Sequence, residues 1–249
     1  MSTALVHYTA AAATDRGRKR PSNEDAFAYS VEHGVYLVCD GMGGAAAGEI
    51  ASSLAVEETI KHLSRRIGNG TETGDLAQLA EEAVVVANEA IYKRAERNYQ
   101  FTGMGTTLVG LIVDERRVLV FNVGDSRCYL LRNRRIQQLT LDHSLVEEQV
   151  RMGQMTPSEA LRSPLKNVIT RALGTQTRVT PDVFEREAEP GDLFLLCSDG
   201  LTRELSDAQI ESLLCSDFTL AVLCSKLVEA AKNAGGNDNI TCLLVRADG

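Results

Sequence analysis

The 249-residue sequence predicts an α+β fold with antiparallel sheets, and three patterns predict it. Short apolar runs joined by hairpin-length polar segments fill the middle of the chain. Two long stretches at helical spacing stand before them, and a helical pair separates the last central strand from a closing one. Strands at both ends and in the middle do not alternate with helices, so βαβ units are not predicted.

Taken in order, Val35-Tyr36-Leu37-Val38-Cys39 reads as a buried strand ending in Asp40-Gly41-Met42-Gly43-Gly44. Asp-Gly is a strong hairpin signal, but a hairpin needs a second strand at once. Instead 45–67 is rich in Ala, Glu, Leu and Lys, with Val56, Ile60, Leu63 and Ile67 at helical spacing. On this segment alone a turn and a site stand level. "IGNGTETGD" reads as a loop, and 76–96 as a second helix with Leu76, Leu79, Ala83, Ala87, Ala90, Ile91 and Ala95 on one stripe. "TTLVGLIV", "RVLVFNV", "CYLLR" and "IQQL" are strand-like, with separators "DERR" and "RNRR" short enough for hairpins. Thr156-Pro157-Ser158-Glu159 fits a capping box with proline at the first helical position. "LFLLCS" is again a strand; helices are expected near 206–214 and 219–233, and "ITCLLVR" closes the chain.

Composition narrows the function classes. A hydrophobic fraction of 44% supplies a sizeable core, built from Leu, Val, Ile and Ala because aromatics are 5% and tryptophan is absent. A net charge of -8 argues against nucleic-acid binding by phosphate neutralisation and leaves carboxylates for a cation. None of the six cysteines, Cys39, Cys128, Cys197, Cys215, Cys224 and Cys242, forms a Cys-x-x-Cys pair, so free thiols in a reducing compartment are expected. The start "MSTALVHYTAAAATD" lacks a basic n-region, and no apolar run approaches the ~20 residues that span a bilayer. A cytoplasmic protein without a membrane partner is the expectation.

Four carboxylates stand at strand edges beside glycine or another small residue: Asp40, Asp125 in "VGDS", Asp199 in "CSDG" and Asp238 in "GGNDN". One such aspartate is most simply a turn or cap. Four brought to one sheet end would repel and raise one another's pKa unless a cation neutralised them. All-oxygen ligands select a hard ion such as Mg²⁺ or Mn²⁺, and four aspartates suit two ions better than one. The glycines then admit close approach, and the Gly41 carbonyl can itself be a ligand. "TDRGRKRPSNEDAF" adds Glu24, Asp25 and the basic residues Arg16, Arg18, Lys19 and Arg20. Alone they read as a solvated loop; beside a carboxylate–metal site, one arginine could hold a phosphate by its bidentate fork.

At this point the chain resembles the protein phosphatase 2C family of metal-dependent serine/threonine phosphatases in its compact bacterial form. "RPSNEDAF", "DGMGG" with "GE" and "AS" behind it, "MGTT", "VGDSR", "LTLDHS", "ITRALG", "CSDGL" and "GGNDNIT" follow the family's order across residues 14–245. The resemblance implies a four-layer α-β-β-α sandwich of two antiparallel sheets flanked by helices. It implies a single phosphatase domain over 1–249 with a flap at about 141–174. Asp40 would bridge two Mn²⁺ or Mg²⁺ ions, the Gly41 carbonyl would complete one, and Asp199 and Asp238 would hold the other. Glu24, Asp25 and Asn239 would act in the surrounding shell, Glu24 and Asp25 mainly through metal-bound waters. Asp125 would anchor a third, weaker ion, and Arg20 would grip the phosphate. Partners would be phosphorylated proteins and a cognate serine/threonine kinase, the enzyme acting as a monomer.

One departure concerns Met42, where eukaryotic relatives often carry a histidine proposed to protonate the leaving group; methionine cannot. Other readings are weaker. Ser126 and Ser198 flank acidic residues, but there is no Gly-x-Ser-x-Gly elbow and His143 lacks a triad partner, so His143 reads as structural. "DGMGGAAAG" matches neither nucleotide-binding glycine spacing. A catalytically dead regulatory member is opposed by the presence of Arg20, Asp40, Asp199 and Asp238 together.

Overall fold

The run at 35–39 is apolar at every position because both of its faces are covered. In a computed structural model that describes residues 6–43, 47–68 and 75–249, it forms the body of strand β3 (Val35–Met42). Val35, Leu37 and Cys39 face a helical layer, whereas Tyr36 and Val38 face a second sheet. Alternate side chains thus enter different cores, and a strand covered on both sides reads as an unbroken apolar run.

One sheet is ordered β2 (Asp25–Ser30), β3, β5 (Leu108–Asp114), β6 (Arg117–Val123) and β9 (Asp182–Glu187), with the two-residue β4 (Gly105–Thr106) paired to the end of β3. The other is ordered β1 (His7–Asp15), β11 (Ile240–Asp248), β10 (Leu193–Cys197), β7 (Arg127–Arg132) and β8 (Arg135–Gln138). Every pairing is antiparallel. The β7–β8 hairpin turns on Asn133 and Arg134, both at positive φ, as a two-residue loop matched to strand twist requires. Helices α1 (Ala47–Gly68) and α2 (Leu76–Arg97) cover the first sheet. Helices α5 (Asp199–Thr202), α6 (Asp207–Leu214) and α7 (Leu220–Ala234) cover the other. The result is the four-layer sandwich, with three apolar cores between its layers. Each fully buried Leu, Val or Phe in them contributes roughly 1.5–3 kcal/mol.

Three strands have no counterpart in the sequence reading: β1, β2 and β9. All three are sheet edges, and none carries a continuous run of large aliphatic side chains. β1 has a run of four alanines at its centre, yet nine residues pair with β11, from His7↔Asp248 to Asp15↔Ile240. Sheet pairing there overrides a weak local preference. β9 (DVFERE) carries the charges that blunt an edge. The segment 141–174 holds two short helices, α3 (Leu145–Arg151) and α4 (Pro157–Arg162). In α4 the capping box is complete: Thr156 Oγ1 accepts from the Glu159 N–H and the Glu159 carboxylate accepts from the Thr156 N–H. Gly44, the first two residues of the helix expected from 45, and most of the loop at 67–75 lie outside the described residues.

Candidate active site

Antiparallel order brings the exit of β3, the exit of β6, the exit of β10 and the entries of β2 and β11 to one end of the sandwich. Asp40 lies on β3 opposite Asp25 of β2. Asp125 follows β6, Asp199 follows β10 and Asp238 precedes β11, so both sheets contribute carboxylates.

The Asp40 backbone is clamped. Its N–H donates to Thr107 Oγ1 at 2.9 Å, and its carbonyl accepts from the Thr107 N–H and the Thr106 hydroxyl, each at 2.9 Å. The Thr107 hydroxyl is hydrogen-bonded to that of Ser126 at 2.7 Å. The Gly41 N–H donates to the Glu24 carbonyl at 3.0 Å. A Cβ on Gly41 would lie 2.1 Å from the Gly48 carbonyl oxygen, and one on Gly48 2.5 Å from Glu24 Oε2. Only glycine lets the start of α1 lie against the strand end. The Asp-Gly of β3 therefore serves close approach, not a hairpin.

The carboxylates are short of donors and of positive charge. Asp25 Oδ1, Asp125 Oδ1 and Asp199 Oδ1 are buried without a hydrogen-bond partner among the described residues. Burial first, then the charges of Asp25, Asp199, Asp125 and Asp238, push the Asp40 carboxyl well above the usual carboxylate range. Burial, then Asp125, does the same to Asp199. Burial pushes Asp25 up to about 6 and raises Asp125 and Glu24. An acid held in its costly charged form needs a cation, and oxygen donors alone suit a hard one.

Two arginines supply part of that charge. Arg20 Nη2 donates to Asp238 Oδ2 at 2.8 Å. Arg203, unremarked in the sequence reading, reaches Asp199 Oδ2 in a very short contact, Asp238 Oδ2 at 3.4 Å and Asp125 Oδ2 at 3.7 Å. Its spacing of four from Asp199 is the available signal, since residues i and i+4 share a helix face. Among the described residues no three acidic, cysteine or histidine side chains stand at metal-coordination spacing. With guanidinium groups on Asp199 and Asp238, the donor set fits a hard cation in chemistry but is drawn towards the arginines.

The supporting residues have distinct roles. Asn239 accepts from the Glu24 N–H at 2.8 Å and donates to the carbonyls of Arg16 and Ser22, fixing the loop that carries Arg20. Ser198 donates to Asp25 Oδ2 at 2.8 Å and accepts from the Thr241 N–H. With Ser126 held by Thr107 and both serines buried, neither is a free nucleophile. His143 Nδ1 accepts from the Gly124 N–H at 3.0 Å, which places the proton on Nε2, 3.1 Å from Asp182 Oδ2. It ties the loop after β6 to β9 and faces no hydroxyl nucleophile. Sequence reading also missed Arg127, whose fork grips Asp142 at 2.7–3.1 Å and whose Nη1 donates to the Tyr129 hydroxyl.

A cleft of about 310 Å³ opens over the centre, lined by Arg20, Glu24, Asp40, Met42, Asp199 and Asp238 among others. A second cavity of about 320 Å³ adjoins it and runs under α3 and α4, sharing Asn167, Asp199 and Arg203. Acids at the mouth of a two-sheet sandwich, beside basic side chains and an open cleft, make a setting that suits an anionic ester.

Comparison with known proteins agrees. The family profile described as Protein phosphatase 2C matches residues 14–244. The chain is 39% identical over 245 residues to the serine/threonine phosphatase stp of Listeria monocytogenes, covering 94% of each. The structure of the serine/threonine phosphatase PstP/Ppp of Mycobacterium tuberculosis superposes with a TM-score of 0.89 at 37% identity, covering 98% of this chain and 100% of that one. The PstP catalytic domain in complex with two manganese ions superposes with a TM-score of 0.86 at 37% identity, covering 98% and 100%. The chain belongs to the protein phosphatase 2C family, and it is a protein-serine/threonine phosphatase.

Proposed function

We propose that the protein hydrolyses phosphoserine and phosphothreonine in proteins with the help of two divalent metal ions, Mn²⁺ or Mg²⁺, opposing a serine/threonine kinase in the cytoplasm as a monomer. The observation that carries this reading is the gathering of carboxylates from both sheets, three of them with a buried oxygen that finds no donor among the described residues. Asp40, the Gly41 carbonyl, Asp199 and Asp238 would hold the two ions, and Asp125 a third and weaker one. When bound, such ions make hydroxide available near neutrality and polarise the phosphoryl oxygens. The two manganese ions named with the PstP catalytic domain support the same count here.

The chain's own residues then have these tasks. Thr106 and Thr107 fix the Asp40 peptide, so the backbone that carries the central carboxylate is held in place beforehand. Glu24, Asp25 and Asn239 hold the outer shell in place. Arg20, about half exposed at the cleft edge and bonded to Asp238 alone among the described residues, is placed to fork onto non-bridging phosphate oxygens. Met42 lines the cleft but moves no proton, and a water tied to Asp125 is the donor this reading assigns to the leaving group.

The segment 141–174 acts as the flap that selects the substrate protein. Val146 and Ala160 pack it down, while Met152, Leu161 and Leu165 stay 63%, 77% and 46% exposed and free to meet a phosphoprotein. The test is release of phosphate from an aryl phosphate and from a phosphothreonine peptide, with Mn²⁺ and with chelator. Mn²⁺-dependent, chelator-sensitive turnover of both is expected; chelator-resistant turnover would overturn the reading. A phosphoproteome compared with and without the protein tests the opposition to a kinase.

A further inference from the structure

Arg203 lies in neither the metal-ligand set nor the phosphate-gripping position, yet its guanidinium touches more of the central acids than any other basic group among the described residues. It stands on Asp199, 3.4 Å from Asp238 and 3.7 Å from Asp125. Its backbone N–H also bonds the Asp199 carbonyl at 2.8 Å, as the C-cap of the short helix α5. The side chain is 30% exposed and lines both adjoining cavities, so solvent-filled space is open to it away from the acids. The oxygens it occupies belong to Asp199 and Asp238, which on the proposed reading hold a metal ion. A guanidinium and a divalent ion drawn to the same carboxylates repel each other, so each weakens the other's hold.

We propose that Arg203 is a built-in competitor of the metal: an internal counter-cation that holds Asp125, Asp199 and Asp238 together in the metal-free protein and must leave Asp199 and Asp238 before an ion binds. The inference rests on the proposed metal site. It accounts for a guanidinium placed among three gathered acids. Arg20 cannot do this work, because among the described residues it contacts Asp238 only, and it is 49% exposed. A site whose binding-competent state is only partly populated binds its ligand more weakly by that fraction. Arg203 therefore sets the metal affinity at a weaker value than the carboxylates alone would give. It also keeps the metal-free protein folded by offsetting repulsion among the acids.

The experiment compares the full-length wild type with Arg203→Ala and Arg203→Lys, titrating chelator-treated protein with Mn²⁺ by calorimetry and measuring melting temperatures with and without saturating Mn²⁺. For Arg203→Ala the Mn²⁺ dissociation constant falls by about tenfold or more, since a unit charge at contact distance from the acids is lost. Its metal-free melting temperature falls by several degrees, ~4 °C or more, and the gap closes at saturating Mn²⁺. Arg203→Lys, with the charge but not the fork, lies between. If Arg203→Ala is too unstable to titrate without metal, Arg203→Lys carries the test, with a tighter Mn²⁺ constant expected. An unchanged or weaker Mn²⁺ constant in the variants overturns the competition. Absence of Mn²⁺ binding in the wild type would instead remove the metal site itself, a distinguishable failure.

Discussion

Two clusters of buried charge lie near the same end of this sandwich, and they are built on opposite principles. Arg127 and Asp142 form one. Both carboxylate oxygens of Asp142 receive guanidinium donors, Gln138 Nε2 adds another, and the remaining Arg127 donor reaches Tyr129. Asp25, Asp40, Asp125, Asp199 and Asp238 form the other, with orphaned oxygens and, among the described residues, two arginines in contact with them. The first cluster is finished and belongs to the architecture. The second is unfinished, and on the proposed reading metal ions complete it. Satisfaction of the buried groups, more than their number, separates a structural ion pair from a reactive centre.

That contrast can be broken first at Asp40. Asp40→Asn should lower kcat on aryl phosphate by about a thousandfold or more, as loss of a central charge-stabilising group does. The same substitution removes like-charge repulsion, so the metal-free melting temperature should hold or rise. A variant that unfolds instead would put Asp40 in the class of Asp142. Asp125→Ala tests how far the unfinished cluster extends. Steady-state kinetics with Mn²⁺ calorimetry should show kcat down by about 10–100-fold, while the first two ions bind nearly as before. Near-normal kcat at saturating Mn²⁺ would remove Asp125 from the reaction.

The finished cluster should answer in stability instead. Asp142→Ala leaves the Arg127 guanidinium buried without its partner and should cost about 3–5 kcal/mol in denaturant unfolding. Activity should fall only with the folded fraction; a loss of kcat in folded protein would join the two clusters functionally. The smallest effect is expected at His143. Burial chiefly, opposed by Asp182, lowers its pKa below the ordinary His value. A lowered histidine means that the unfolded chain takes up its proton first, so stability is complete above about pH 6.5 and is lost as pH falls towards the folded pKa. His143→Asn, which can keep an acceptor for the Gly124 N–H, should flatten that loss by up to about 1.4 kcal/mol per pH unit. Parallel melting-temperature profiles from pH 7.5 to 5 for both proteins would discard this assignment.

How much was legible beforehand follows from where information resides. The central strands could be read because each is covered on two faces and must be apolar throughout; the edges β1, β2 and β9 could not, because their stability comes from one neighbour's backbone. Asp40, Asp125, Asp199 and Asp238 drew notice because each follows or precedes an apolar strand with a small residue beside it. Arg203 and the pair Arg127–Asp142 did not, since a lone arginine reads as surface until its partners are placed in space. Gly48 stood in a motif without a physical reason until the Gly41 carbonyl was found 2.9 Å from where its side chain would begin.

By itself, then, the order of residues determined the class of fold, the central strands and the acids that end them, because burial and backbone geometry restrict composition locally. Tertiary structure alone decided which acids share a volume, which guanidinium lies among them and which charges are left unpaired. Those are distances between residues as far apart as Arg20 and Asp238, and electrostatic energy depends on distance in space, not along the chain.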